Sequence, residues 1–277
     1  MRRGMRLSAA LALAAVLLLH ASSALALHDA DTHPLDSTAY TLRDGEFKLG
    51  VLDFGYGLFD WCTLDTYYMA WLLKVSNLSA RFRIWGDRDW TVSAKTGFFY
   101  LDLQKLNKDA SPVTFKIVPT ELMASWRFAS SLELSFGGVY TPIIVSGEGE
   151  EQDIQGAAGY SNVQALLALQ WSLSQRWALV VRSRHLLQMQ MDASAKAAYT
   201  VQVDDHTTVD VHGAAAAGDV LDMGFPSTFS VVPGVLYSSD VFNIEAGLGY
   251  GNMNVLGINF VSPTKSVVPL FDMYWRW

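Results

Sequence analysis

The chain has 277 residues, 20 basic and 27 acidic side chains and a formal net charge of −7, a balance that argues against nucleic-acid binding. It is 51% apolar and 12% aromatic, yet after Ala26 it has no uncharged apolar run of about 18 residues or more, the length a spanning helix needs. Apolar residues recur instead at period two, and the spanning structure that fits such a pattern is a closed β-barrel, in which every backbone group pairs with a neighbouring strand.

The amino terminus reads as a secretory signal peptide. Arg2, Arg3 and Arg6 precede an apolar run from Leu7 to Leu19, and Ala24-Leu25-Ala26 is a small-x-small cleavage pattern. Cleavage after Ala26 leaves a mature chain that starts at Leu27. Loss of three arginines leaves 17 basic against 27 acidic groups, a net charge of about −10. No Cys follows the cut, so no lipoprotein anchor is expected. The single cysteine, Cys62, permits no intramolecular disulfide and reads as a small wall residue.

Residues 27–277 read as one barrel domain. Tight connections are expected at Gly57–Asp60, Gly86–Asp89, Ala129–Ser131, Ser174–Arg176 and Ser238–Asp240. Long ones alternate with them, at Leu73–Asn77, Gln104–Ser111, Ser146–Ser161, Asp192–Pro226 and Asn252–Lys265. Strict alternation of short and long connections is the mark of an up-and-down outer-membrane barrel, with short turns on the periplasmic side. Five tight hairpins and the terminal strand give an odd count, whereas single-chain bacterial barrels are even-numbered. A twelfth strand is therefore placed at Ser37–Leu42, before the Arg43-Asp44-Gly45 turn. Merging two strands to give ten is the alternative.

Within strands the parity separates lipid from lumen. Leu132, Leu134, Phe136 and Tyr140 alternate with Glu133, Ser135, Gly137 and Thr141; Phe242, Ile244, Leu248 and Tyr250 alternate with Asn243, Glu245 and Gly249. An Arg or Lys facing lipid at mid-membrane costs about 2–4 kcal/mol, so the charged set points inward. That set comprises Arg81, Arg83, Lys95, Arg127, Arg182, Arg184 and Arg276, with Glu121, Glu133, Glu245 and Asp272. The basic excess points to anionic solutes; bridging across a narrow lumen, which would close it, is the alternative. Asp53 and Asp65 break their local patterns and suggest a bulge or register change. Trp61, Trp90, Trp126, Trp171 and Trp177 lie near the tight turns and read as an aromatic girdle, with core packing of a soluble protein as the alternative.

Asp205, His206, Asp210 and His212 are weak metal or hydrolase candidates in the long segment before Pro226, since Asp and His together hold a cation or activate water. The surrounding Tyr199–Val203 and Thr207–Val211 read more readily as a hairpin above the membrane. Glu148, Glu150, Glu151 and Asp153 form an acidic run that reads as a solvated loop, or as a site sharing the divalent cations of lipopolysaccharide. Ala214–Gly218 reads as a flexible loop or one helical turn. No phosphate-binding loop, nucleotide fold or cysteine metal site occurs, so no cofactor is expected.

The chain ends Val267-Val-Pro-Leu-Phe-Asp-Met-Tyr-Trp-Arg-Trp277. Phe271, Met273, Trp275 and Trp277 share one parity; Asp272, Tyr274 and Arg276 share the other. This stretch resembles the terminal strand of bacterial outer-membrane β-barrels, and the resemblance implies recognition by the assembly machinery of that membrane as an insertion signal. The edge strand of a soluble sandwich is the alternative. Tyr40–Glu46 and Gly55–Asp60 also look like the first strands of outer-membrane barrels labelled transporters. Together these features imply an all-β, antiparallel barrel in the outer membrane of a diderm bacterium, surrounded by its lipid and lipopolysaccharide. It would serve as a passive channel or transporter for small polar solutes, or as a closed surface-interaction barrel, or as a hydrolase. Its oligomeric state is left open.

Overall fold

The computed structural model describes residues 37–72, 74–106, 113–149, 154–204, 207–217, 228–239, 241–255 and 260–277. The expected signal peptide lies outside them. Alternating apolar and polar residues fold into β1 (Phe47–Gly50), β2 (Phe54–Phe59), β3 (Cys62–Thr66), β4 (Ser76–Gly86), β5 (Trp90–Asp102), β6 (Val113–Ile117), β7 (Thr120–Ala129), β8 (Leu132–Gly149), β9 (Ile154–Ser172), β10 (Trp177–Asp204), β11 (Thr207–Ala217), β12 (Phe229–Ser238), β13 (Phe242–Val255) and β14 (Phe260–Arg276). Two short helices, α1 (Tyr68–Leu72) and α2 (Leu103–Leu106), follow β3 and β5.

Neighbouring strands pair antiparallel around a ring that closes where β1 meets β14. β6 and β7 are two halves of one wall strand, since both lie between β5 and β8. Their break falls at Val118-Pro119, where proline has no N–H to give a ladder. β11 pairs with β10 alone, beyond the stretch of β10 that meets β12. The wall therefore has 12 strands.

The five tight hairpins fall where the sequence places them. The last three long connections are shorter than expected, because the strands run on into them, whereas the first two are longer and hold α1 and α2. β8 and β9 extend to Gly149 and from Ile154, and β10 continues to Asp204, where it turns into β11 with Tyr199 opposite Val211. Ala214–Ala217 belong to β11 rather than to a loop or helical turn. Glu150, Glu151 and Asp153, from the acidic run, lie outside the described residues.

Outward positions are large and apolar: Leu78, Phe98, Leu122, Phe136, Leu167 and Leu248 stand exposed on the wall. Inward positions are polar and buried, among them Ser93, Ser125, Ser135, Thr141, Asn162 and Gln164. A closed wall that is apolar outside and polar inside is an outer-membrane barrel, since in lipid only ring closure leaves no strand edge unpaired. On the terminal strand Phe271 and Trp277 are both 60% exposed, while Tyr274 and Arg276 are buried.

One strand assignment is corrected. The twelfth strand is β1 at Phe47–Gly50, and Ser37–Leu42 makes no ladder. That segment instead runs inside the barrel, where Thr38, Ala39 and Leu42 are buried. A lumen has no lipid face, so residues of both parities are covered, which no wall strand could achieve. The chain leaves the lumen through the Arg43–Gly45 turn, where Gly45 adopts φ 75° and donates its N–H to the Gly57 carbonyl at 2.9 Å. A Cβ on Gly57 would stand 1.8 Å from the Arg43 carbonyl oxygen. Gly57→Ala is therefore expected to lower barrel stability by about 1–3 kcal/mol, measured as a lower denaturant midpoint of the detergent-refolded protein.

Candidate functional site

Above the buried segment the lumen opens into a cavity of about 490 Å³. Ser37 lies at its lower end, and Tyr67, Phe99, Val139, Leu166 and Leu270 give it apolar surface. Arg81, Lys95, Glu121, Arg182, Arg184, Glu245 and Asp272, seven of the residues that parity sends inward, all line it.

Five of these seven charges, Arg81, Lys95, Glu121, Arg182 and Glu245, sit in ion pairs. Arg182 makes a two-pronged contact with Glu245, with Nη2 to Oε2 at 2.7 Å. Lys95 Nζ lies 2.8 Å from Asp65 Oδ1, and Arg81 Nη2 lies 3.7 Å from Glu121 Oε1. Nearer the periplasmic rim, Lys48 meets Asp53 at 3.0 Å and Arg276 Nε meets Glu46 Oε1 at 2.6 Å. Arg127 stands opposite Glu133 in the β7–β8 register. Arg83 shares the parity of Arg81 and pairs with inward Ser93, but it lies exposed toward the tight turn, next to the bulge at Arg83/Trp85. Sequence reasoning missed Glu46, Lys48, Asp53 and Asp65. The last two do break a pattern, and they do so because each is the carboxylate partner of an inward lysine.

The segment below the cavity is held by side chains. Arg81 Nη1 donates to the carbonyls of Thr38 at 2.9 Å and Tyr40 at 3.0 Å. The Ala39 N–H donates to Ser125 Oγ at 2.9 Å, and that hydroxyl pairs with Ser135 Oγ at 2.7 Å. Leu42 N–H donates to Thr63 Oγ1 at 2.7 Å, and Tyr40 OH to Glu133 Oε2 at 2.9 Å. Burial, and then the Glu133 carboxylate, hold the Tyr40 phenol well above its ordinary range, so it stays neutral and remains a donor.

The five girdle candidates lie at strand ends next to the tight turns. Trp61, Trp126 and Trp177 are exposed, Trp90 and Trp171 half-buried, and the Trp90 and Trp126 rings stack at 5.2 Å. Asp205 and His206 fall outside the described residues. Asp210 and His212 lie in β11, opposite Thr200 and Ala198.

No protein-family model matches the chain, and no curated protein matches it. Among solved structures it is similar to one described as the CymD monoaromatic hydrocarbon channel, 10% identical over 83% of this chain and 86% of that chain, with a TM-score of 0.33. It is also similar to the Pseudomonas putida toluene transporter TodX, 11% identical over 83% of this chain and 77% of that chain, with a TM-score of 0.29. Likeness at that level carries nothing about solute or mechanism to this chain.

Removing one partner of the Arg182–Glu245 pair strands the other. Glu245→Ala is expected to destabilise the barrel by about 1–3 kcal/mol, less than a fully dry pair because this one faces a cavity. The Arg182→Met, Glu245→Leu double variant is expected to recover much of that loss in denaturant unfolding of the detergent-refolded barrel.

Proposed function

We propose that this outer-membrane β-barrel is a gated passage for small, largely uncharged solutes, with the central cavity as its solute site and residues 37–43 as its periplasmic plug. The observation that carries this reading is how the plug is fastened. It joins no strand ladder: it is held by hydrogen bonds with the side chains of Arg81, Ser125, Thr63 and Glu133 and by packing of Ala39 against Met123, Val139 and Leu166, so its departure breaks none of the backbone pairing of the wall.

The solute class follows from the pairing of charges. A bare arginine ring attracts anions, but Arg81, Lys95 and Arg182, three of the four cations lining this cavity, face carboxylates at contact distance, which weakens the reason to expect anion preference. What is left for a solute is a mixed surface of paired charges, Tyr67, Phe99 and Leu166, suited to a small molecule with apolar area and some hydrogen-bonding capacity.

The reading of a closed surface-interaction barrel keeps one supporting observation: β9 with 19 residues and β10 with 28 run well past the 9–11 or so that cross a membrane. Single-channel recording separates the two. The mature chain is expected to conduct weakly, and the same chain without residues 27–42 to give discrete steps with little preference for either ion sign. Arg81→Ala, which loosens the plug without removing it, is expected to raise the frequency of such steps. A plug-deleted barrel that inserts but never conducts would favour the closed reading.

A further inference from the structure

Lys116 breaks the rule that sends wall charges to the lumen. On β6 its neighbour Ile117 is buried and packs with Phe99 and Ile143, so Lys116 points the other way, and it is exposed. Its ladder partners agree: Tyr100 stands on one side and Ile144, 49% exposed, on the other. A lysine facing lipid is costly at the midplane and nearly free at either interface, so its height decides what it means.

That height follows from β5. Trp90, beside a tight turn, and Tyr100 lie ten residues apart on this strand. At about 3.3 Å per residue and a tilt of roughly 40°, they are separated by about 25 Å along the membrane normal. This is the full height of the apolar band. Tyr100 and Lys116 therefore stand at the outer interface, where head groups begin.

Two more lysines converge on this level. Lys105, in α2, holds its ammonium 5.5 Å from the centroid of the Tyr100 ring. Its side chain is 63% exposed, and Asp102 Oδ2 lies 3.9 Å away, at the limit of an ion pair. Lys74, just after α1, is exposed and donates from Nζ to the Lys105 carbonyl. Two separate connections and one strand thus bring their cations to one spot. The wall around them is graded. Below Tyr100, Phe98 stacks at 6.5 Å and pairs with Leu78, and both are exposed. Above Lys116 on the same face come hydroxyls, with Thr114 Oγ1 and Ser146 Oγ 3.1 Å apart. Hydrocarbon, then an aromatic ring among ammonium groups, then hydroxyls, is the profile that receives an anionic amphiphile with its acyl chains against the wall.

We propose that Lys74, Lys105 and Lys116 form a binding site for the phosphorylated glycolipid of the outer leaflet, lipopolysaccharide, and take a phosphate of its lipid A between their ammonium groups. Each ammonium brings three donors, and phosphate oxygens accept charge-assisted hydrogen bonds from all of them. The acyl chains run down Phe98 and Leu78, and the Thr114 and Ser146 hydroxyls lie at the height of the sugar. A diacyl phospholipid would leave those hydroxyls without a sugar to meet. The site is on the outside of the wall and does not rest on passage of a solute through the cavity.

The test titrates the mature chain, refolded in detergent free of lipopolysaccharide, with lipid A bearing both phosphates, and reads the bound fraction by native mass spectrometry. One tightly held lipid per barrel is expected. A lysine near an anionic surface contributes about fivefold in affinity. Lys116→Gln is therefore expected to weaken binding about fivefold, and the Lys74→Gln, Lys105→Gln, Lys116→Gln triple variant about a hundredfold, while arginine at all three positions keeps the parent affinity. Arg88→Gln, which removes a charge from an exposed tight turn at the opposite end of the wall, is expected to bind as the parent does. Heat-modifiable migration on gels checks that each variant is folded. Lipid A stripped of its phosphates is expected to bind the parent and the triple variant alike. The proposal is overturned if the folded triple variant binds phosphorylated lipid A within twofold of the parent. It is overturned equally if phosphatidylglycerol displaces lipid A at equal concentration, since the lysines would then attract any anionic lipid.

Discussion

Everything in this molecule depends on a seam three residue pairs long. In lipid an unpaired backbone group has no water to fall back on, so a sheet is stable there only when its last strand finds its first. Here Lys48, Leu49 and Gly50 face Arg276, Trp275 and Tyr274, extended by the reciprocal bonds of Phe47 and Trp277 at 2.9 and 3.1 Å. The joint is reinforced from both sides. Outside, the Trp277 ring lies 5.3 Å from Phe47; inside, Lys48 sits over the Tyr274 ring at 5.0 Å while Arg276 reaches Glu46. A short ladder is thus made firm by aromatic contact on the lipid face and charge on the lumen face.

Closure also dictates the lumen chemistry. With lipid claiming one parity, the charged residues at the level of the cavity, Arg81, Lys95, Glu121, Arg182 and Glu245 among them, lie on the other. Cation and carboxylate then pair across an intervening strand, as Lys95 on β5 does with Asp65 on β3 and Arg182 on β10 with Glu245 on β13. The arginines left near mid-lumen become anchor points, and Arg81 uses its guanidinium both on Glu121 and on two carbonyls of the buried amino-terminal segment. The burial of that segment follows from the same constraint that built the wall.

Much of this was legible in the sequence, wherever a residue had to choose between oil and water. Leu134 against Glu133, or Leu248 against Glu245, reveals its face by type alone, and five tight turns between such runs give the topology. The reading failed where no such choice exists. Ser37-Thr-Ala-Tyr-Thr-Leu42 alternates enough to pass for a strand, but inside a lumen there is no lipid to enforce parity, and its neighbours Ser125 and Ser135 are more than 80 residues away. The ionic pattern was half legible: counting inward cations overstated a positive lumen, because Glu46, Asp53 and Asp65 sit in or beside the shortest strands, where periodicity has too few residues to show. An inward lysine without a carboxylate at a matching height was the signal to look for one.

The unequal strands also determine how the protein sits among lipids. A wall that is tall along β8–β10 and low along β1–β3 presents a different hydrophobic thickness to each side of the bilayer. Mismatch of this kind costs only fractions of a kcal/mol per Å, and membranes absorb it by thinning locally or by tilting the protein. The leaflet beside β1–β3 is therefore drawn down toward the rim of the low wall, so the barrel carries a patch of deformed membrane with it.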